Sequence, residues 1–304
     1  MEADGTDEEQ TDGMIASEAI QQIKMHRGDP FFLGVGFFRP HTPYVAPKKY
    51  FELYPIDSIK IPFAPENDRM DIPYAAFAHN CKIPNYGLED SICIEAKQAY
   101  YASVSFIDAQ VGRLLDALEN NDLLEKTIVV LWSDHGYHLG EHNGLWQKRC
   151  LFEESASAPL FVYNPAARGN GSKCDQIVEF IDIYPTLADL CQLDPPINLP
   201  GKSLKPLLDA PGMPWNGTAY TQVLRPGDGN PVMGRSVRTD RWRYTDWNRG
   251  AEGQELYDHL NDPNEFNNVM ADTTYKELIK NLKELLNKNV SCEVPLSPFD
   301  PRLL

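Results

Sequence analysis

The chain has 304 residues, a net charge of −16 and 42% hydrophobic residues. That length buries a full core, and no apolar run approaches the ~20 residues that cross a bilayer. The acidic balance argues against nucleic acid or an anionic membrane surface as partner, and an anionic substrate would need a locally basic mouth.

The first nine residues hold Glu2, Asp4, Asp7, Glu8 and Glu9, with neither a basic nor an apolar region, so no signal peptide is expected there. Residues 13–26 show helical spacing, with Ile15, Ala19 and Ile23 on one face, and Asp29-Pro30 closes that helix. Phe31 to Phe38 (FFLGVGFF) is continuously apolar, as a buried parallel strand is. It delivers His41 in Arg39-Pro40-His41-Thr42-Pro43, where the prolines predict an extended path. Residues 44–90 are rich in Pro, Tyr and Asn and predict an irregular excursion with a short helix near Lys48 to Leu53.

Ile94 to Asn120 predicts a long helix. Tyr100, Val104, Ile107, Val111, Leu114 and Leu118 alternate steps of four and three, which predicts one buried stripe. Thr127 to Trp132 is an apolar strand, and together with the Phe31–Phe38 strand it would form a right-handed crossover. Pro159 to Tyr163 is a further strand, and a helix opens near Asp182 with Pro185 in its first turn. Pro195-Pro196 marks a boundary between residues 1–194 and a smaller α+β unit, 195–304. There Val232–Val237 and Trp242–Trp247 predict antiparallel strands, Leu256–Asp258 a short strand, and Tyr275–Asn287 a closing helix before a Pro-rich tail from Pro295.

The chemistry concentrates where the Thr127–Trp132 strand ends, in Ser133-Asp134-His135-Gly136. Strand ends of this kind build the active sites of open α/β sheets. On a turn, Asp134 and His135 can reach one ion, the carboxylate suiting Ca²⁺ or Mg²⁺ and the imidazole favouring Zn²⁺ or Mn²⁺. Lys148 is a point cation for a sulfate or phosphate oxygen, and His41 has the reference pKa of a leaving-group acid. His138-Leu139-Gly140-Glu141-His142 matches the H-x-x-E-H of inverted zinc peptidases, which needs a helix. Gly136, Gly140 and Gly144 argue against one, and His138 and His142 are read as loop-shaping hydrogen-bonding residues. Cys81, Cys93, Cys150, Cys174, Cys191 and Cys292 show no zinc-finger spacing and read as disulfide partners or as scattered buried thiols.

The run Ser133 to His142, followed by Trp146 and Lys148, resembles the sulfatase family of the alkaline-phosphatase superfamily, in its iduronate-2-sulfatase-like branch. The likeness extends over PFFLGVGFFRPHTPY (30–44), YYASVSFIDAQVGRLLDAL (100–118), LFEESASAPLFVYNP (151–165), EFIDIYPTLADL (179–190), SVRTDRWRYTDW (236–247) and ELYDHLNDPNEFNNV (255–269). It implies an α/β alkaline-phosphatase-like sandwich with a mainly parallel central sheet and a C-terminal α+β subdomain with an antiparallel sheet. The implied function is hydrolysis of sulfate esters, on sulfated sugars such as glycosaminoglycan units. In such a site Asp134 and His135 are metal ligands, with Ca²⁺ as the ion. His41 is the acid or sulfate-side histidine, and Lys148 touches sulfate, although Asn143-Gly144 sets it one residue further on than the pattern expects. The nucleophile would be a formylglycine made from C/S-x-P-x-R, and no Cys or Ser of this sequence stands in that motif. The expectation is therefore a fragment, a truncated gene product or an inactive relative, from a periplasmic, extracellular or lysosomal protein.

Arg225, Arg235, Arg238, Arg241, Arg243 and Arg249 share a segment whose acids are Asp228, Asp240 and Asp246. Arg238 and Arg241 are expected to bind substrate, the alternative being solvated strand positions. Two other functions remain open: a phosphodiester or phosphonate-ester hydrolase of the same superfamily, and a non-catalytic binding remnant.

Overall fold

A computed structural model describes residues 1–77, 80–196, 198–226 and 231–290. Asp228, Cys292 and the tail from Pro295 lie outside the described residues. The chain divides into two compact units, Met1–Pro62 with Leu88–Val129, and Phe63–Gly87 with Val130–Leu304.

In the first unit β1 (Glu2–Ala3) precedes α1 (Thr11–Met25), β2 (Ala46–Pro47), α2 (Lys48–Phe51) and α3 (Asp90–Glu119). α1 buries Asp12, Gly13, Ala16, Ala19 and Ile23. Gly13 is small because a Cβ there would lie 1.7 Å from the Asp7 carbonyl. α3 buries Cys93, Ala99, Ala102, Ser103, Phe106, Gln110, Ala117 and Leu118, while Val104 is 43% exposed. The predicted stripe is thus met only in part: Leu118 is buried, and Tyr100, Ile107, Val111 and Leu114 are half-buried beside a core face of smaller residues. Small side chains admit close neighbours, and Tyr50, Phe51 and Ala46 pack on Ala99, Ala102 and Phe106. Asp7 Oδ2 is held within the unit, accepting from Tyr50 Oη at 2.6 Å and from Gln110 Nε2 at 3.2 Å.

Phe31–Phe38 corrects the sequence reading. The segment is not a strand, and Phe32 is 90% exposed. Its end is fixed instead by Asp12, whose carboxylate accepts the Phe38 and Arg39 amides at 2.7 and 3.1 Å. Arg39 to Pro43 then turns rather than extends, with His41 N donating to Phe38 O at 2.9 Å.

The second unit contains most of β3 (Val129–Trp132), then β4 (His138–Leu139), α4 (Glu141–Gly144), β5 (Trp146–Gln147), α5 (Glu153–Ala156), β6 (Leu160–Tyr163), α6 (Ile183–Leu190) and α7 (Lys205–Asp209). Next come β7 (Ala219–Arg225), β8 (Val232–Arg238), β9 (Trp242–Trp247), β10 (Gln254–Asp258) and α8 (Lys276–Asn289). β3 pairs with β6, and β4 with β5. Among the described residues β3 has no ladder with residues 31–38, so the expected crossover is not formed there.

The C-terminal sheet runs β10-β9-β8-β7, all antiparallel, with Val237 opposite Tyr244 and Tyr244 opposite Leu256. Those three side chains and Leu282, Leu286 and Val290 form its core. α8 places leucines at 278, 282, 285 and 286, the spacing that lays one apolar stripe on a sheet. Cys81, Cys93 and Cys150 are buried, Cys174 and Cys191 are exposed, and none of these five described cysteines is in a disulfide.

Candidate active site

The site is built where β3 ends. Ser133 N still bonds back to Pro159 O at 3.3 Å, and Ser133 Oγ donates to His135 O at 2.9 Å. These bonds close the turn that carries Asp134 and His135. Gly136 follows because the backbone is crowded: a Cβ would sit 2.0 Å from Glu154 O and 2.4 Å from Ser157 O. Gly136 N also donates to Ser155 O at 3.0 Å, which ties the turn to α5.

The turn does bring the predicted pair together. His135 Nε2 lies 3.5 Å from Asp134 Oδ2. His135 Nδ1 is 2.7 Å from the Gly136 carbonyl, which only accepts, so Nδ1 carries the proton and Nε2 offers a lone pair. Two ligands at right angles about a divalent ion with bonds of ~2.4 Å stand roughly 3.4 Å apart. The Asp134 side chain is 83% exposed, open to an ion and to further ligands.

Lys148 follows β5, on the hairpin that leaves this turn. Trp146 anchors the hairpin by donating from Nε1 to Asn85 Oδ1 at 2.7 Å. Lys148 is half-buried. His41 belongs to the first unit, is exposed, and has Nδ1 2.8 Å from Thr42 O, which again leaves Nε2 to the outside.

The H-x-x-E-H run is not a continuous helix. His138 lies on β4, and His142 and Asn143 have φ of 51° and 55°. Glu141 Oε2 accepts the Leu139 amide at 2.5 Å, so it holds the turn.

The arginine-rich segment is largely internal. Arg235 is fully buried, and its Nε and Nη2 meet Asp246 Oδ1 and Oδ2 at 3.0 and 2.7 Å. Buried Arg225 donates to the carbonyls of Ala75, Ala76 and Arg149. Buried Arg243 joins Glu265 and Glu153. Burial pushes the Glu265 carboxyl up, but Arg243 and His259 outweigh it and hold it down at about 2. Arg238 reaches Glu153 Oε2 at 3.5 Å, and Arg241 forks onto both Asp258 oxygens at 2.6 Å. Arginines 225, 235 and 243 are therefore neither solvated nor a free cationic patch. Any substrate at Arg238 or Arg241 competes with Glu153 or Asp258.

Sequence reading missed Glu154 and Asp68, which stand beside His138 and His142. Glu154 lies in the quoted LFEES run but was given no role, and Asp68, distant in sequence, carries no local signal.

An α/β scaffold that presents Asp and His where a strand ends places polar side chains where open α/β sheets bind ligands. Residues 3–193 match the family described as Sulfatase, and the chain belongs to that family of hydrolases. Residues 140–291 also match the family described as N-sulphoglucosamine sulphohydrolase, C-terminal. A sulfatase of Formosa agariphila is 36% identical over 282 residues, covering 91% of this chain and 53% of the relative. Human iduronate 2-sulfatase is 31% identical, covering 78% of this chain and 56% of the relative. The chain thus spans about half the length of these relatives. Among solved structures, BT4656 in complex with its substrate D-glucosamine-2-N,6-O-disulfate aligns with a TM-score of 0.74 at 23% identity, covering 91% of this chain and 68% of that one. The phosphonate monoester hydrolase of Agrobacterium radiobacter gives 0.80 at 23% identity, covering 95% and 62%. These likenesses bear out the α/β, alkaline-phosphatase-like fold with its C-terminal antiparallel sheet.

Proposed function

We propose that this chain carries one wall of the active site of a sulfuric-ester hydrolase that acts on sulfated saccharides. The main support is the convergence of Asp134 Oδ2 and His135 Nε2, 3.5 Å apart, on a chain of the sulfatase family. The oxygen and nitrogen donors fit a divalent cation, for which we propose Ca²⁺. When bound, the ion supplies Lewis-acid neutralisation of sulfate oxygens. Asp134 and His135 hold it, and Gly136 lets their turn pass beneath α5. Lys148 places a positive charge on a sulfate oxygen. His41, with its Nδ1 proton engaged by Thr42 O, protonates the departing alcohol from Nε2. Arg238 and Arg241 would serve the sugar's further anionic groups only by leaving Glu153 and Asp258, the carboxylates that hold them. No Cys or Ser of this sequence stands in the C/S-x-P-x-R motif of a formylglycine. The proposed compartment is periplasmic, extracellular or lysosomal. Among the described residues no helix is long and apolar enough to cross a membrane.

Calorimetric titration with Ca²⁺ tests the metal pair, with Asp134→Asn binding at least about tenfold more weakly than wild type. Equal binding removes Asp134 from the site. For the reaction, the chain is joined to the C/S-x-P-x-R segment of a relative, matured to formylglycine, and assayed on a glucosamine sulfate and an aryl phosphodiester. Faster sulfate cleavage is expected. Faster phosphodiester cleavage would assign the phosphonate-ester alternative, and no turnover of either would assign the binding remnant.

A further inference from the structure

His138, His142 and Glu154 form a second constellation that the reaction does not use. Both imidazoles are fully buried, and the Glu154 side chain is 25% exposed. His138 Nε2 lies 3.5 Å from Glu154 Oε2, and His142 Nε2 lies 4.0 Å from the same oxygen. All three ligand atoms fall within 4.8 Å of one another. None of the three has a hydrogen-bond partner among the described residues. Native interiors leave few polar atoms in that state, and three aimed at one point call for a common partner.

The outer atoms of the rings settle which tautomers face that point. His138 Nδ1 is 3.1 Å from Gln147 O, and His142 Nδ1 is 3.1 Å from Asp68 Oδ2. A carbonyl and a carboxylate accept, so in the neutral rings both Nδ1 atoms carry the proton and both Nε2 atoms are lone pairs. A backbone carbonyl or a carboxylate behind the imidazole is the outer support that metal-binding histidines have. Packing fixes the rings as well. Phe152 stacks on His142 with centroids 4.2 Å apart and meets His138 edge-on at 6.1 Å.

We infer that His138, His142 and Glu154 form a zinc site where the β4–β5 hairpin meets α5, separate in its ligands from the Asp134–His135 pair. Two imidazoles and one carboxylate are a borderline donor set that suits zinc better than calcium. Tetrahedral zinc with bonds of ~2.0–2.1 Å sets its ligand atoms roughly 3.3 Å apart, so the 3.5 and 4.0 Å spacings to Glu154 contract slightly and the two Nε2 atoms, within 4.8 Å of each other, draw in with them. An enclosed water would supply the fourth ligand. The site also answers a charge problem: Asp68 and Glu154 place two carboxylates beside buried imidazoles, and a dication balances them. The neighbouring group of Glu153, His259 and Glu265 is not equivalent. There Arg243 already sits on both carboxylates, and its guanidinium repels a cation. The H-x-x-E-H run thus contributes its histidines without its glutamate.

The test is zinc content per chain by plasma mass spectrometry, after the full chain is equilibrated with Zn²⁺ and dialysed. Wild type is expected to retain one equivalent, and so is the Asp134→Asn, His135→Asn double variant, whose changes lie on an accessible turn. Glu154→Gln and His138→Gln are expected to lose zinc, and Asp68→Asn to bind about tenfold more weakly by loosening His142. Substituted Co²⁺ is expected to show the intense visible bands of a four-coordinate site. Absence of stoichiometric zinc in wild type, its loss from the double variant, or its retention by a folded Glu154→Gln protein would each overturn the assignment. Should the buried variants fail to fold by circular dichroism, the wild-type cobalt spectrum decides, and a weak octahedral spectrum overturns the site.

Discussion

Four histidines differ in role because of what stands around them, although each has Nδ1 against an acceptor. His41 and His135 keep Nε2 within reach of solvent or an ion, whereas His138 and His142 are enclosed. Burial alone pushes His142 down, but Asp68, Glu154 and Glu265 outweigh it and raise its pKa. Buried Glu255 shows the opposite balance. It accepts from Trp247 Nε1 at 2.7 Å and from Tyr257 Oη at 3.0 Å, yet burial still raises its pKa to about 7. The folded state therefore holds this proton more tightly than the unfolded chain. Its contribution is fully present below the unfolded value near 4.5 and is lost as pH rises through about 7. The shift corresponds to roughly 3 kcal/mol at most. Glu255→Gln removes the titration, and the neutral amide keeps one acceptor for Trp247. Urea midpoints of wild type and variant are expected to converge or cross between pH 5 and pH 8 as wild type loses this term. A constant gap over that range would show that Glu255 does not titrate there.

At the scale of elements, legibility followed how local each cause was. The turn at Asp134 and His135 could be read because the strand, the turn and both side chains are contiguous. The antiparallel β8–β9 pair could be read from two short strand-like runs joined at Thr239-Asp240-Arg241, and α8 from its apolar stripe. β7 was missed, because its apolar residues alternate weakly with Thr221 and Gln222. The face of α3 was read only in part because close packing selects small side chains and Gln110, which a stripe of large apolar residues does not reveal. Phe31–Phe38 has the composition of a strand with neighbours on both sides, and among the described residues it has no ladder. Two predictions belong here. Gly136→Ala forces a methyl into two carbonyls, so a loss of about 1–3 kcal/mol and weaker Ca²⁺ binding are expected, by thermal denaturation and calorimetry. Leu286→Ala, in the core under the C-terminal sheet, should cost about 2–5 kcal/mol. Phe161→Ala on β6, where the ring is 63% exposed, should stay within about 0.5 kcal/mol. Equal losses would mean that β6 is covered in solution.

For the whole molecule the governing fact is a net charge of −16, combined with where its cations go. Arg235, Arg243 and Arg241 are matched by Asp246, Glu265 with Glu153, and Asp258. These pairs hold the C-terminal sheet and its turns, and they withdraw three arginines from the charge that could attract the proposed sulfated saccharide from a distance. Two readings of Arg238 and Arg241 then give opposite salt dependences. If both stay on Glu153 and Asp258, the long-range field repels the substrate, and screening relieves that repulsion. If they leave those partners for sulfate, direct ion pairs form, and salt weakens them. The pairing at 2.6 Å on both oxygens of Asp258 favours the first for Arg241. In an active enzyme carrying this chain, KM for a sulfated disaccharide should therefore fall as ionic strength rises from about 0.01 to 0.15 M, over which the screening length shrinks from about 30 to 8 Å. An uncharged-leaving-group aryl sulfate, with one anionic group, should show a smaller fall. Arg241→Gln should leave the slope unchanged while lowering stability, because Asp258 loses its partner. A KM that rises with salt, with a slope that Arg241→Gln flattens, would instead place Arg241 on the substrate.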